Sequence, residues 1–216
     1  MQQSINVGLI GFGMAGQVFH APLITSVQGL RLHKVYARRA EQQTLLQAKY
    51  PDTVISTTVG DILNDPQIDL VVIATSNDVH FGLTREALLA GKHVVVEKPF
   101  TNTVAEADEL IALAKEQKKV LSVFHSARWH SDYLTVKDII ASGELGRLVT
   151  LEIRYDRFRN YLRPNAWREH DLPGSGIFFD LGAHLIDQSL QLFGKPQGIF
   201  AYLRKMREGV GAVDDF

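Results

Sequence analysis

At 216 residues the chain is long for one average domain and short for two large ones, and a hydrophobic content of 45% is enough for real cores. Its 23 basic and 24 acidic side chains nearly cancel, which removes any global electrostatic reason to expect nucleic acid or an anionic membrane surface as a partner. The absence of cysteine excludes disulfides and thiolate-ligated metal and fits a reducing compartment; no metal site is expected.

Met1-Gln2-Gln3-Ser4 runs into an apolar stretch with no basic segment and no signal-like core, and no apolar run is long enough to span a bilayer. The expectation is a cytoplasmic protein with neither membrane nor nucleic-acid partner. Apolar, β-branched runs then recur at Ile5 to Ile10, Leu30 to Tyr36, Leu70 to Ala74, Val94 to Val96 and Val120 to Phe124. Amphipathic stretches such as Glu41 to Lys49, Gly82 to Ala90 and Val104 to Lys118 separate them. Near-continuous apolar strands alternating with helices predict a parallel sheet covered on both faces, so residues 1–122 read as one doubly wound α/β domain.

Beyond Phe124 the rhythm changes. A helix is predicted from Asp132 to Ser142, ending at Gly143, and Leu148 to Phe158 alternates as a half-polar strand with one solvated or partnered face. A polar loop from Arg159 to Gly176 contains Pro164, Pro173, Gly174 and Gly176; a helix from about Ile177 to Phe193 follows, and Gly198 to Leu203 begins another strand. Residues 123–216 thus read as the start of a second α/β domain, with too few strands for an independent sheet, and a truncated chain is expected.

The residues with chemical potential fall at the ends of the predicted strands, where open α/β sheets bind ligands. Gly11-Phe12-Gly13-Met14-Ala15-Gly16 has the GxGxxG spacing in which one glycine makes a turn, one admits a pyrophosphate and one permits close helix packing. Taken alone, that turn also suits S-adenosylmethionine or no ligand at all. After the second strand stands Ala37-Arg38-Arg39, with no acid before Glu41. A ribose 2′-phosphate is better served there than a hydroxyl, so NADP is favoured over NAD with Arg38 as the contact; the other reading is two solvated arginines.

Thr75-Ser76-Asn77-Asp78-Val79-His80 follows the third predicted strand with short hydrogen-bonding side chains, which also serve as ordinary helix caps. Glu97-Lys98-Pro99 follows the next one. Proline holds Lys98 extended, and an ammonium in a partly desolvated cleft beside a nicotinamide complements a developing alkoxide; a snorkelling surface lysine is the bland alternative. Asp180 and His184 are four positions apart, on one face of the predicted helix, with Asp187 near that face. His184, with an ordinary pKa near ~6.5, suits removal of a hydroxyl proton as hydride leaves carbon. Arg154, Arg157, Arg159, Arg163 and Arg168 offer a clamp for an acidic or phosphorylated sugar, against the plainer reading of a solvated face.

In order, GFGMAG, ATSNDVH, EKP and GSGIFFDLGAHLIDQ resemble the Gfo/Idh/MocA family of NAD(P)-dependent oxidoreductases. Phe19-His20-Ala21-Pro22, Trp167-Arg168-Glu169 and Leu192-Phe193-Gly194-Lys195-Pro196 extend the resemblance almost end to end. It implies a Rossmann domain followed by an α/β domain with a mainly antiparallel sheet used in homo-oligomerisation. Gly11, Gly13 and Gly16 become the pyrophosphate turn, and Thr75, Asn77 and His80 lie near the cofactor. Glu97 contacts the cofactor, Lys98 is catalytic, and Asp180 and His184 form the acid/histidine pair.

The implied activity is that of a dehydrogenase or reductase acting on a carbinol of a sugar, cyclitol or polyol in an interdomain cleft. Ser126, Ala127 and His130 depart from the asparagine, paired arginines and tryptophan-aspartate common in relatives, as does the short C-terminal part. A non-catalytic NAD(P)-binding sensor of the same fold is the alternative, and a methyltransferase is disfavoured by the EKP motif and the second domain.

Overall fold

The computed structural model describes residues 4–163, 166–209 and 214; Pro164 of the predicted loop, the side chain of Trp167 and the end at Asp215-Phe216 lie outside them. The chain divides into two compact units, Met1–Phe124 and His125–Phe216.

In the first unit six strands pair in the order β3-β2-β1-β4-β5-β6. They are β1 Ile5–Ile10, β2 Leu30–Tyr36, β3 Val54–Ser56, β4 Leu70–Ile73, β5 His93–Glu97 and β6 Leu121–Phe124, and every neighbouring pair is parallel. Helices α2 Ala40–Lys49, α3 Gly60–Leu63, α4 His80–Leu89 and α5 Val104–Glu116 make further crossovers; the predicted boundaries of α2, α4 and α5 shift by only a few residues, and α3 was not among the predicted helices. α5 starts where it does because Thr103 Oγ1 accepts from Glu106 N at 3.2 Å while Glu106 Oε2 accepts from Thr103 N at 3.2 Å, a reciprocal cap.

Two separate cores explain the apolar strands. Val7, Leu9, Leu32, Val35 and Val72 pack with Ala21, Ile24 and Leu46. Ile10, Val71, Ile73, Val94 and Val96 pack instead with Ile62, Leu88 and Leu110. Leu9 and Ile10 are adjacent yet belong to different cores, as strand alternation requires. Each such valine, leucine or isoleucine taken fully out of water contributes roughly 1.5–3 kcal/mol.

The glycine turn feeds a helical segment over residues 14–26. It contains a π turn, Gly16–His20, which passes into α1 Ala21–Ser26 with Pro22 in its first turn, where a missing N–H costs nothing. β3 was not among the predicted strands.

The second unit, taken by itself, contains α6 Ser131–Ser142, closed by Gly143 at φ 75°, and a helical segment over residues 176–193. That segment comprises a π turn, Phe178–Gly182, and α7 Ala183–Phe193. The strands predicted at Leu148 to Phe158 and Gly198 to Leu203 are absent: among the described residues β6 is the last strand and the only sheet is parallel. A ladder needs facing N–H and C=O groups, and no described segment supplies them. Val149 and Phe158 are 80% and 92% exposed, and Phe200 is 92% exposed, as apolar strand positions are when their sheet is not formed.

No described helix is long and apolar enough to cross a membrane, and no described group of three or more His, Asp or Glu side chains is placed to hold a metal.

Candidate functional site

The sheet order reverses at β1 and β4, and the crevice beyond their carboxyl ends is where a doubly wound sheet takes a ligand. Ala74 N donates to Ile10 O at 2.8 Å, closing the two strand ends against each other. Gly11 turns out of β1 at φ +105°, and a Cβ there would sit 2.5 Å from Ala74 O. A Cβ on Gly16 would sit 2.2 Å from Gly11 O, so the helix presses its first turn onto the loop. Both positions admit only glycine.

Gly13 is different. A Cβ on it meets nothing within 4 Å, so this part of the backbone faces open space at the start of the helix. Gln17 Nε2 and Gln42 Nε2 both donate to Phe12 O at 2.8 Å, fixing the turn's carbonyl inward. An open backbone beside a helix N-terminus fits a diphosphate, whose charge is favoured there by the free N–H groups and the helix dipole. The residues present therefore fit a dinucleotide.

Arg38 lies just past β2, exposed and without an ion-pair partner among the described residues. Thr75 is half-buried, while Asn77 is 3% exposed and its Nδ2 donates to Asn102 Oδ1 at 2.8 Å. His80 is 1% exposed, with Nδ1 2.9 Å from Pro99 O and Nε2 3.3 Å from Thr75 O. A neutral imidazole has a single N–H, and the shorter contact, to Pro99 O, links the start of α4 to the loop after β5, which includes a cis Lys98-Pro99 bond.

Burial pushes the His80 imidazole below its ordinary value, against the opposing pull of the Pro99 and Thr75 carbonyls and of the Glu97 charge. An imidazole whose folded pKa is depressed stabilises the fold fully above its unfolded value of about 6.5 and loses that contribution as pH falls from there through the folded pKa. Urea unfolding of wild type and His80→Gln at pH 7.5, 6.5 and 5.5 is expected to show the wild-type advantage shrinking as pH falls. A constant or growing advantage would contradict a neutral His80.

At the end of β5, Glu97 is 9% exposed and both of its oxygens are engaged. Oε1 is 2.9 Å from His20 Nε2, and Oε2 accepts from Lys98 N at 3.1 Å. Lys98 itself is half-buried. Gly11, Gly13, Gly16, Arg38, Thr75, Glu97 and Lys98 thus all lie at the carboxyl edge of the one sheet, with Asn77 and His80 bracing the loops between. His20 belongs with them, although its sequence carried no such role.

In the second unit, Asp180 stands within the π turn and pairs with Arg168 Nε at 3.1 Å, while the His184 ring lies 6.4 Å from that of Tyr155. The extra residue of a π turn alters the helical spacing between positions 180 and 184. Asp187 is gripped by Arg128, whose Nε donates to Oδ2 at 2.7 Å and Nη2 to Oδ1 at 2.5 Å. Burial raises the Asp187 pKa, but the Arg128 hydrogen bonds and the His125, Arg128 and His184 charges outweigh it and hold the carboxyl below its ordinary value.

The arginine clamp is largely committed elsewhere. Arg159 Nη1 and Arg163 Nε each reach Glu169 Oε1 at 3.2 Å, and Arg154 pairs with Glu152 at 2.6 Å. With Arg168 on Asp180, most of the charge intended for an anionic sugar is offset by the chain's own carboxylates. Asp214 is 3% exposed and accepts from Phe178 N at 2.8 Å, capping the start of the helical segment from 36 residues downstream. Beside it, Leu172, Pro173, Phe178, Phe179 and Leu203 line a cavity of about 300 Å³.

A six-stranded parallel sheet with a glycine turn at its switch point defines a Rossmann-type dinucleotide fold. Residues 5–125 match the model of an oxidoreductase family with an NAD-binding Rossmann fold, and residues 133–216 match the GFO/IDH/MocA C-terminal domain. The chain belongs to the Gfo/Idh/MocA oxidoreductase family.

Among its relatives, the uncharacterized oxidoreductase YdgJ of Escherichia coli is 47% identical over 100% of this chain and 61% of its own length. The scyllo-inositol 2-dehydrogenase (NADP(+)) IolW of Bacillus subtilis is 38% identical over 99% of this chain and 58% of its own. The solved structure of yvaA from Bacillus subtilis superposes with a TM-score of 0.90 at 36% identity, covering 98% of this chain and 59% of that one. The chain therefore spans about 60% of the length of the relatives it matches.

Proposed function

We propose that this chain carries the cofactor-binding and proton-handling residues of an oxidoreductase that moves hydride between a nicotinamide and a carbinol carbon of a sugar, cyclitol or related polyol. The observation that carries this reading is the open backbone at Gly13, set at the switch point between β1 and β4 and at the start of a helix. When bound, the nicotinamide supplies the hydride acceptor or donor. Gly11, Gly13 and Gly16 shape the turn for its diphosphate, and Thr75 and Glu97 border it. His184 takes the hydroxyl proton, Asp180 orients that imidazole and the substrate, and Lys98 stabilises the charge that builds on oxygen. A relative named as a scyllo-inositol dehydrogenase supports a cyclitol or polyol as the substrate class.

In this reading residues 1–122 form the NAD(P)-binding domain and 123–216 begin the substrate domain. Leu148 to Phe158 and Gly198 to Leu203 are strand-forming segments of a mainly antiparallel sheet through which copies associate. The protein works in the cytoplasm.

NADP is the preferred cofactor. Arg38 stands exposed past β2 where a 2′-phosphate would need a cation, and the named relative uses NADP(+). A charge-assisted contact of about 1.5–3 kcal/mol corresponds to roughly 10- to 100-fold in affinity. Titrating NADPH and NADH into wild type is expected to show a preference of that order, and Arg38→Ala is expected to abolish it by weakening NADPH alone. Equal affinities in wild type, or a preference that survives Arg38→Ala, would refute the assignment. A sugar and polyol panel followed at the nicotinamide absorbance, on this chain and a C-terminally extended version, tests turnover; cofactor binding without turnover would point to a sensor.

A further inference from the structure

The motif Phe19-His20-Ala21-Pro22 has no part in the roles assigned so far, yet His20 is one of the most enclosed polar side chains of the first unit, 3% exposed. It closes the π turn that follows the glycine loop. From there it reaches the ends of two other strands: its Nε2 lies 2.9 Å from Glu97 Oε1 at the end of β5, and its ring lies 4.5 Å from that of Phe124 at the end of β6, tilted by 51°. Glu97 and Phe124 are paired across the ladder, so the imidazole rests on one rigid platform.

A carboxylate that is 9% exposed is costly unless its oxygens are satisfied. Glu97 meets that need with His20 on one oxygen and the Lys98 backbone N–H on the other. The two contacts support each other. The imidazole holds the carboxylate in place, and the fixed carboxylate gives Lys98 N a charge-assisted acceptor, which is stronger than a neutral one. His80 in turn lies 2.9 Å from the Pro99 carbonyl, so the segment carrying Lys98 has a buried imidazole at each of its neighbours.

We propose that His20 is a positioning residue: by pairing with Glu97 it fixes the backbone of Lys98 and so couples the glycine-turn helix to the placement of the catalytic ammonium. The inference rests on the function proposed above for Lys98. Misplacement by about 1 Å at a reacting group costs on the order of 100-fold, so a side chain that never touches substrate can control turnover through backbone placement.

The test is amide hydrogen exchange in ²H₂O, read by NMR on the cofactor-free chain. His20→Leu keeps the bulk and removes the ring nitrogens; His20→Gln restores a donor. The Lys98 amide is expected to exchange at least tenfold faster in His20→Leu and to recover most of its protection in His20→Gln, while Val7 and Leu9 amides in β1 stay as in wild type. With cofactor and a polyol substrate, His20→Leu is expected to lower kcat with little change in KM for NADP. Unchanged Lys98 exchange in His20→Leu would overturn the proposal, as would a loss that His20→Gln fails to repair. A wild-type chain that turned over no carbinol would defeat the proposed function while leaving the exchange result to stand or fall separately.

Discussion

Gly13→Ala is expected to keep the fold and lose the dinucleotide, whereas Gly16→Ala is expected to damage the fold itself. The difference follows from what each new methyl would meet. At Gly13 a Cβ contacts nothing within 4 Å and the backbone is not in the positive-φ region, so the folded state accommodates alanine. Stability should stay within about 0.5 kcal/mol of wild type or rise by up to about 1 kcal/mol, because alanine restricts the unfolded chain.

The same methyl would occupy the open side of the turn, and NADP(H) affinity should fall at least tenfold, about 1.4 kcal/mol. At Gly16 a Cβ would stand 2.2 Å from Gly11 O, a backbone atom of a turn residue whose own Cα is packed closely against Ala74. Here a loss of about 3 kcal/mol or more is expected, seen as a Tm lower by roughly 6–12 °C in a chain of this size. Calorimetry and an NADPH titration on both variants decide the matter. If Gly13→Ala binds NADPH like wild type, the open backbone is not the cofactor cradle.

The sheet was legible because its strands are buried on both faces and so announce themselves as β-branched runs; Ile5 to Ile10 and Leu30 to Tyr36 appear with the predicted ends. β3 escaped because it has three residues, Val54–Ser56, and pairs only with β2 at the sheet edge, too short for a period to show. The glycine turn, Arg38 and Lys98 could be placed at the carboxyl edge of the sheet because each stands at or just past a strand end. The pairing of His20 with Glu97 spans 77 positions and that of Gln42 with Phe12 spans 30, and local pattern does not record contacts between distant strand ends.

In the second unit, helical spacing assumes 3.6 residues per turn, and the π turn at Phe178–Gly182 breaks that assumption between Asp180 and its neighbours. Asp187, expected near their face, is also the carboxylate that Arg128 grips, a pairing across 59 positions that no local pattern records. The predicted strands at Leu148 to Phe158 and Gly198 to Leu203 show the opposite limit: alternation describes what a segment is suited to pair with, while the ladder depends on a second segment.

Lys98→Ala is expected to lower kcat/KM on a carbinol substrate by about 10²- to 10⁴-fold while leaving cofactor affinity and stability nearly unchanged. The supports of the loop explain why the loss would be chemical. Lys98 contributes its backbone N–H to Glu97 Oε2, a contact that alanine keeps, and the neighbouring Pro99 carbonyl remains held by His80. The substitution therefore leaves both of these backbone contacts in place, and the expected loss is one of chemistry at the ammonium.

Lys98→Arg separates two roles for the charge. Guanidinium keeps a positive charge but does not release its proton near neutral pH, so a residue needed only to stabilise oxygen charge would be partly rescued and one needed in a proton relay would not. His184→Ala, on the proposed roles, should cost a similar factor through loss of the proton acceptor. The combined pattern is specific: two variants that bind NADP(H) as wild type does, unfold as wild type does, and fail at turnover. Should Lys98→Ala and His184→Ala both turn over a confirmed substrate at the wild-type rate, hydride transfer by these residues would be the wrong chemistry for this site.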